Sequence, residues 1–435
     1  MCDIMLKLSP RSIIRCSCVC TSLRNLVTDS RFQHLFSSQA PTSVVVFSPI
    51  QRLLCLLSSP LSNHASSYSY SSSPSSRFAF QSSSSTCSCC PSAIDPIPPN
   101  HIHNHNHNHN HNQGIAIATA TATATVTDCD RRRFITLPPL LLPMTLVNSS
   151  NGLLCLRASP SLYYICNPLL GEILCLPPAP IAPHEYLQFS AFGFDPHTKH
   201  CKILHLVLKS NTMVAKLYQL GDETWSVIEN ASSARPNSVF DPSLNGALHW
   251  ITDAPHVSEL ICSFDLQSNE FKSVAPPSHF DVGYVNKISG LCVGVLKGCL
   301  CLCYVNEGAR FETWLMEEYG VKESWTVAFS IDIHSYCGLR LDNEHAPIGF
   351  TSSGDMWFVA DSDSGSHCLV SYTAETGAFK IIDIGGITLK IEAAPHVSSF
   401  VSLKDIINGR DTHLPFHMVK LNKTDAFGFN SFDAF

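Results

Sequence analysis

The rhythm of hydrophobic and polar positions changes along this chain, and zones separate on that basis alone. Over residues 1–37 the apolar positions recur at helical spacing. From Ser9 to Asp29, the side chains of Ile13, Cys16, Val19, Cys20, Leu23, Leu26 and Val27 share one stripe of a single helix. Ser9 suits its N-cap and Pro10 its first position, where the missing N–H costs nothing. Asp29 suits the cap of a following short helix, SRFQHLF. Ile14 and Cys18 fall on the opposite side of the first helix. A unit this small can bury one apolar face, so the other is expected to dock on a partner.

Residues 42–58 (TSVVVFSPIQRLLCLLS) read as two short strands. From Leu61 to about Thr127 the periodicity is lost. The stretch is serine-rich, then HIHNHNHNHNHN, then ATATATAT, and between Leu61 and Gln113 its ordinary charges are Arg77 and Asp95. Too little apolar variety is present to offset the entropy of ordering it, so residues 59–130 are expected to be a disordered insertion.

Beyond Arg131, short apolar strands alternate with Gly, Asn, Asp and Pro turns, and Trp225, Trp250, Trp314, Trp325 and Trp357 all fall here. A strand–turn–strand unit recurs: YYICNPLLGEILCLP, KLYQLGDETWSVIEN, CSFDLQSNEFKSVAP, TWLMEEYGVKESWTVAF and VSYTAETGAFKIIDI. Its anchors, Leu174, Trp225, Phe271, Trp325 and Phe379, are separated by 51, 46, 54 and 54 residues. A second motif, glycine then an apolar strand, interleaves as NGLLCL, NGALHW, KGCLCL and SGDMWF. A period near 50 with about four strands per unit predicts a mainly β fold, a kelch-like β-propeller of about six blades. Five units are clear; the strands at 42–58 and 132–147 supply a sixth, with the low-complexity segment inserted in one of its loops.

Composition narrows the function classes. A formal net charge of −7 leaves no concentrated Lys/Arg field, which argues against nucleic acid as the partner. No run of about 18 apolar residues appears, so no membrane span is expected. The N-terminus, MCDIMLKLSPRS, lacks the pattern of a secretory signal. Most of the 20 cysteines are then read as small buried hydrophobes in a reducing compartment, the cytoplasm and/or nucleus.

The residues also carry a resemblance. DIMLKLSPRSIIRCSCVCTSLRNLVTDSRFQHLF resembles an F-box. NSSNGLLCL, YYICNPLLGEILCLP, FGFDPHTKHCKI, NGALHWITD, ICSFDLQSNEF and WLMEEYGVKESWT resemble, in order, the F-box-associated kelch-type domain of a large plant family. The resemblance implies domains at 1–37 (a small α-helical F-box), 38–58 (first propeller strands), 131–404 (propeller) and 405–435 (a C-terminal tail). It implies a substrate receptor of a Skp–cullin–F-box ubiquitin ligase. The helices would hold the Skp-type adaptor and through it cullin, and the propeller would hold an unidentified target protein. The adaptor surface is expected at Ile4, Leu8, Pro10, Ile14, Cys18 and Leu23. Two departures stand out: the first helix is shortened to MCDIMLKL, and Leu23 stands where the family carries Trp. An interaction scaffold whose degenerate F-box does not join a ligase is the alternative.

Such a receptor needs no catalytic group, cofactor or metal. On one continuous helix Cys18 points about 200° away from Cys16, so Cys16, Cys18 and Cys20 do not converge on one ion. CLCLC at Cys299–Cys303 reads as a strand packing its thiols on one face. CSCC at Cys87–Cys90 and the alternating histidines from His101 to His111 lie in the insertion, where repeat expansion explains the latter. No nucleophile elbow, phosphate-binding glycine loop or His-Glu-x-x-His helix is present. His249, Asp195 and Glu318 are the residues a propeller enzyme would draw on.

Overall fold

Every residue of the strand Ser43–Ser48 is buried, and its alternate side chains serve two different cores: Val45 and Phe47 face one neighbouring sheet, Val44 and Val46 the other. Leu53–Ser58 repeats the arrangement, with Leu54 and Leu56 on one side and Cys55 and Leu57 on the other. Such strands have no solvent face, which is why VVVF and LLCLL are continuously apolar. The computed structural model describes residues 1–40, 42–51, 53–58, 132–136, 144–229, 231–235, 241–253, 256–332, 339–340, 347–350, 355–362, 367–382, 384, 390–408 and 418–420. The chain divides into two units, Met1–Tyr70 with Val126–Phe435 and Ser71–Thr125, and all described residues belong to the first.

The described strands form six antiparallel sheets, the blades of a propeller. Blade 1 joins the two ends of the chain: Glu392–His396 pairs with Ser43–Ser48, followed outward by Leu53–Ser58 and Arg132–Thr136. Blade 2 comprises Thr145–Ser150, Leu153–Ser159, Leu162–Asn167 and Glu172–Cys175. Blade 3 comprises Glu185–Asp195, His200–Lys209, Thr212–Gln219 and Ser226–Ile228. Blade 4 comprises Ser243–Leu244, Ala247–Ile251, Ile261–Asp265 and Glu270–Val274. Blade 5 comprises Ser289–Leu296, Cys299–Val305, Arg310–Met316 and Trp325–Asp332. In blade 6, Leu339–Arg340 and Pro347–Phe350 both pair with Met356–Ser362, followed by His367–Thr373 and Ala378–Ile382. The inner strands touch their neighbours from blade to blade around a closed ring. Between each pair of adjacent blades lies a separate apolar core.

The repeats map directly onto this ring. Leu174, Phe271, Trp325 and Phe379 lie in the fourth strands of blades 2, 4, 5 and 6, and Trp225 immediately precedes that of blade 3. The glycine motifs are the first hairpin turns. Asn151-Gly152, Asn245-Gly246 and Lys297-Gly298 each hold two successive residues at positive φ, near +50° and +75°, between directly paired strands. A two-residue turn that follows the twist of its strands requires that geometry. The SGDMWF turn, Ser353-Gly354, lies outside the described residues, as do residues 59–131 with Cys87–Cys90 and His101–His111.

Three expectations are corrected. Residues 132–147 do not complete one blade: Arg132–Thr136 closes blade 1, whereas Thr145–Ser150 is the inner strand of blade 2. The ring closes through Glu392–His396 instead, because an inner strand for blade 1 must come from the far end of the chain. The tail expected from 405 begins inside a helix, Leu403–Asn408, and contributes Met418–Lys420, which pairs with Glu172–Leu174 on the outer edge of blade 2. Finally, the single helix from Pro10 to Thr28 is two, Pro10–Ser17 and Thr21–Thr28, broken at Cys18–Cys20.

Candidate functional site

Four short helices precede the first strand: α1 (Cys2–Leu6), α2 (Pro10–Ser17), α3 (Thr21–Thr28) and α4 (Ser30–Gln39). Ser9 caps α2, its Oγ accepting from the Ser12 N–H at 3.2 Å, with Pro10 first in the helix. Asp29 caps α4, accepting from the N–H groups of Arg31 (2.9 Å) and Phe32 (3.2 Å). Between α2 and α3, Cys18 is the C-cap and Cys20 turns extended, with φ −153°. The run Cys-Val-Cys-Thr is poor in helix formers, so little resists the break. The break reverses the fate of two residues expected inside: Val19, 76 % exposed, and Cys20 face solvent.

Of the expected adaptor residues, Ile4 and Cys18 are exposed, Ile4 by 68 %. Leu8, Ile14 and Leu23 are half-buried and pack against the helical core of Met5, Ile13, Val27, Phe32 and Phe36; Pro10 is half-buried too. Ile14 therefore does not form a second, outward face with Cys18. The exposed apolar side chains of this unit include Met1, Ile4, Val19 and Leu35. Val19 was hidden by the assumption of an unbroken helix; the run of weak helix formers was the available signal.

The helical core is completed by the propeller. Leu169, from the third turn of blade 2, and Phe400 enter it, with Phe400 ring centroids 4.6 Å from Phe36 and 6.2 Å from Phe32. Gln33 Nε2 also donates to Phe400 O at 3.0 Å. Buried Asn167 places both intruders. Its Oδ1 accepts from the N–H groups of Leu169 (2.9 Å) and Leu170 (3.1 Å), and its Nδ2 donates to Ser399 O (3.1 Å) and Val401 O (2.7 Å). Residues 399–403 thus form a C-terminal strap, which Glu172 also holds, accepting from Ser402 Oγ (3.1 Å) and the Leu403 N–H (2.8 Å). Neither Asn167 nor Phe400 stood out in the sequence, because their partners are distant in it.

The residues an enzyme would use have separate structural tasks. Asp195 in blade 3 caps its turn, accepting from the His197 N–H (2.9 Å) and Thr198 Oγ1 (2.6 Å); burial works to raise its pKa, but these bonds hold it below the usual range. His249 in blade 4 is buried, with Nδ1 3.0 Å from Pro242 O and Nε2 2.8 Å from Tyr319 Oη, and burial lowers its pKa to about 4. Glu318 is exposed in a turn of blade 5, bonded through its backbone to Ser324 Oγ. Cys301 and Cys303 sit side by side in the core between blades 5 and 6, Sγ to Sγ 3.4 Å, with burial pushing both thiols up; Cys299 is half-buried beside them. Cys16 packs on the helical core while Cys18 and Cys20 are exposed. Among the described residues no group of three His, Cys, Asp or Glu side chains is placed to hold a metal ion, and no helix is long and apolar enough to cross a membrane.

Comparison with known proteins gives two family matches: an F-box domain over residues 1–35 and an F-box associated beta propeller domain over residues 75–407. The chain is 30 % identical to F-box protein At3g07870 of Arabidopsis thaliana over 261 residues, covering 53 % of this chain and 59 % of that one. It is 27 % identical to F-box protein CPR1 of the same plant, covering 54 % and 66 %. A third relative, F-box/kelch-repeat protein At3g23880, is 26 % identical, covering 42 % and 52 %. The aligned regions thus span about half to two thirds of these curated relatives.

Proposed function

The chain belongs to the F-box-associated β-propeller family, and from that premise we propose that it is the substrate-recognition subunit of a Skp–cullin–F-box ubiquitin ligase, with a propeller of the kelch type. An F-box implies a Skp-type adaptor as partner, and cullin would follow through it. The supporting observation is the shared core: helices and propeller are joined through Leu169, Phe400 and Asn167. A target on the propeller would therefore be held in a fixed relation to an adaptor on the helices. Tethering of this kind raises the effective concentration of target near the ubiquitin donor and requires no chemistry from the receptor.

The adaptor surface runs through exposed Ile4 and Cys18, with Leu8, Pro10, Ile14 and Leu23 at its half-buried margin and Val19 added beside Cys18. Leucine in place of tryptophan at 23 removes a large aromatic, which favours a weaker adaptor contact than an aromatic would make. The buried, unbridged thiols at Cys155, Cys166 and Cys301 suit a reducing compartment, the cytoplasm and/or nucleus.

Co-purification of the full chain with a Skp-type adaptor tests this reading. The expected result is capture of the adaptor, a loss of at least ~10-fold with Ile4→Asp, as for a central interface residue, and no change with Ile381→Asp on the propeller. Absence of capture would overturn the ligase assignment and leave the scaffold alternative.

A further inference from the structure

In an antiparallel four-stranded blade the first and third turns lie at one end and the second at the other. Leu169 in a third turn thus sets the helical unit at the end where the first turns also lie. The inner strands open at that end into a cavity of about 460 Å³, reached by Asn151-Gly152 of blade 2 and Lys297-Gly298 of blade 5. Ser150 Oγ of blade 2 and Ser243 Oγ of blade 4, the blades on either side of blade 3, approach to 3.5 Å.

Two polar groups on the cavity wall lack adequate partners. Among the described residues, Asp241 takes one long hydrogen bond, from the Ser243 N–H at 3.4 Å, and none of the described ion pairs includes it. Burial pushes its carboxyl up to about 7, against the pull of that bond. His396, 1 % exposed, has Nδ1 2.9 Å from Ser149 Oγ and no partner for Nε2. Burial lowers the His396 pKa to about 4, so the ring is neutral. With Nδ1–H donating to Ser149, Nε2 is an acceptor. The cation on the wall, Lys297, carries its ammonium 5.7 Å from the Phe329 ring centroid. The unsatisfied capacity is therefore carboxylate and imine nitrogen, among serine oxygens.

We propose that this cavity receives a basic side chain, arginine or lysine, presented by a target protein, with Asp241 as its counter-ion. The proposal rests on the reading of the propeller as the target-holding part. A guanidinium or ammonium offers several N–H donors and no acceptor, which matches a wall of acceptors, and its charge offsets the penalty on a carboxylate drawn out of water. The volume suits one such side chain with its stem against Val295 and Ile348.

The full chain is titrated with four fluorescent peptides, acetyl-Gly-Gly-X-Gly-Gly-amide, in which X is Arg, Lys, Gln or Glu. The Arg or the Lys peptide is expected to bind at least ~10-fold tighter than the Gln peptide, and comparison of those two arms identifies the preferred cation. Asp241→Asn should erase the difference, with thermal unfolding no lower than that of the unchanged chain, while Glu270→Gln on the outer strand of blade 4 should preserve it. Binding of Arg, Lys and Gln peptides within about two-fold, tighter binding of Glu, no binding of any, or discrimination that survives Asp241→Asn would each overturn the proposal. Adaptor capture is read on the helices, so its failure and failure of this titration are separate results.

Discussion

Phe264 in blade 4 and Phe36 in α4 are both buried, yet they depend on very different lengths of chain. Phe264 packs with Leu204, Trp250, Cys262 and Phe271, all from blades 3 and 4. Phe36 packs on Phe32 and on Phe400, which arrives from the opposite end of the sequence. The propeller spreads its apolar burial over six interfaces, each built by neighbouring blades, whereas the helices have one small core that they cannot finish alone. A helix of eight to ten residues gains little from its own hydrogen bonds, so packing decides whether α2, α3 and α4 form. The helical unit is therefore a dependent of the closed ring.

Acidification is the largest test of that contrast, because it acts on the propeller. Burial lowers the pKa of His205 to about 3 and those of His249 and His396 to about 4, and all three lie in blades. With folded values below the unfolded one, the unfolded chain binds more protons. The stability these neutral rings contribute is intact above about pH 6.5 and lost as the pH falls toward 4. At pH 5 each should cost about 2 kcal/mol relative to pH 7.5. Asp241, its carboxyl raised to about 7, works the other way and offsets about one of the three, so that a net loss is read from urea midpoints. An unchanged midpoint would break the account of the propeller as the acid-sensitive region.

Phe400→Ala comes next, with an expected loss of about 3–5 kcal/mol for a buried phenylalanine. Hydrogen exchange should show protection lost in α2–α4 and kept in blades 3–5; equal loss in both would make the two regions one cooperative unit. Asn167→Ala removes both the turn cap and the strap bonds, with an expected cost of about 2–3 kcal/mol and the same pattern of lost protection. The smallest effects compare two equivalent turns. A Cβ at Gly152 (φ +76°) would meet Ser399 Oγ at 2.3 Å, whereas one at Gly298 (φ +74°) meets nothing within 4 Å. Alanine should cost about 1 kcal/mol at Gly298, from the left-handed backbone alone, and about 2–3 kcal/mol at Gly152, where the strap must also move. Thermal melts of the two variants would show whether the strap adds this penalty.

Much of the propeller was legible because its information is local. The Asn-Gly and Lys-Gly turns, the short apolar strands and the spaced anchors are properties of segments shorter than one blade, and each reappears in the ring. The caps Ser9 and Asp29 were legible for the same reason. The helix wheel misled at Cys18–Cys20, since periodicity does not register a run of weak helix formers, and it hid Val19. The adaptor candidates Ile14 and Leu23 sit partly inward because the core they join includes residues from blade 2 and the C-terminal strap.

By itself the sequence determined the class of fold, the repeat and the turns, all of which follow from φ preferences and side-chain periodicity over short distances, and its motifs in order carried the resemblance to the family. Tertiary structure alone decided how the ring closes, through Glu392–His396 on Ser43–Ser48, and that Phe400 completes the helical core. It also brought Asp241 and His396 to one channel mouth. These pairings join residues separated by most of the chain, and only the geometry of the closed ring, not any local preference, brings them within reach.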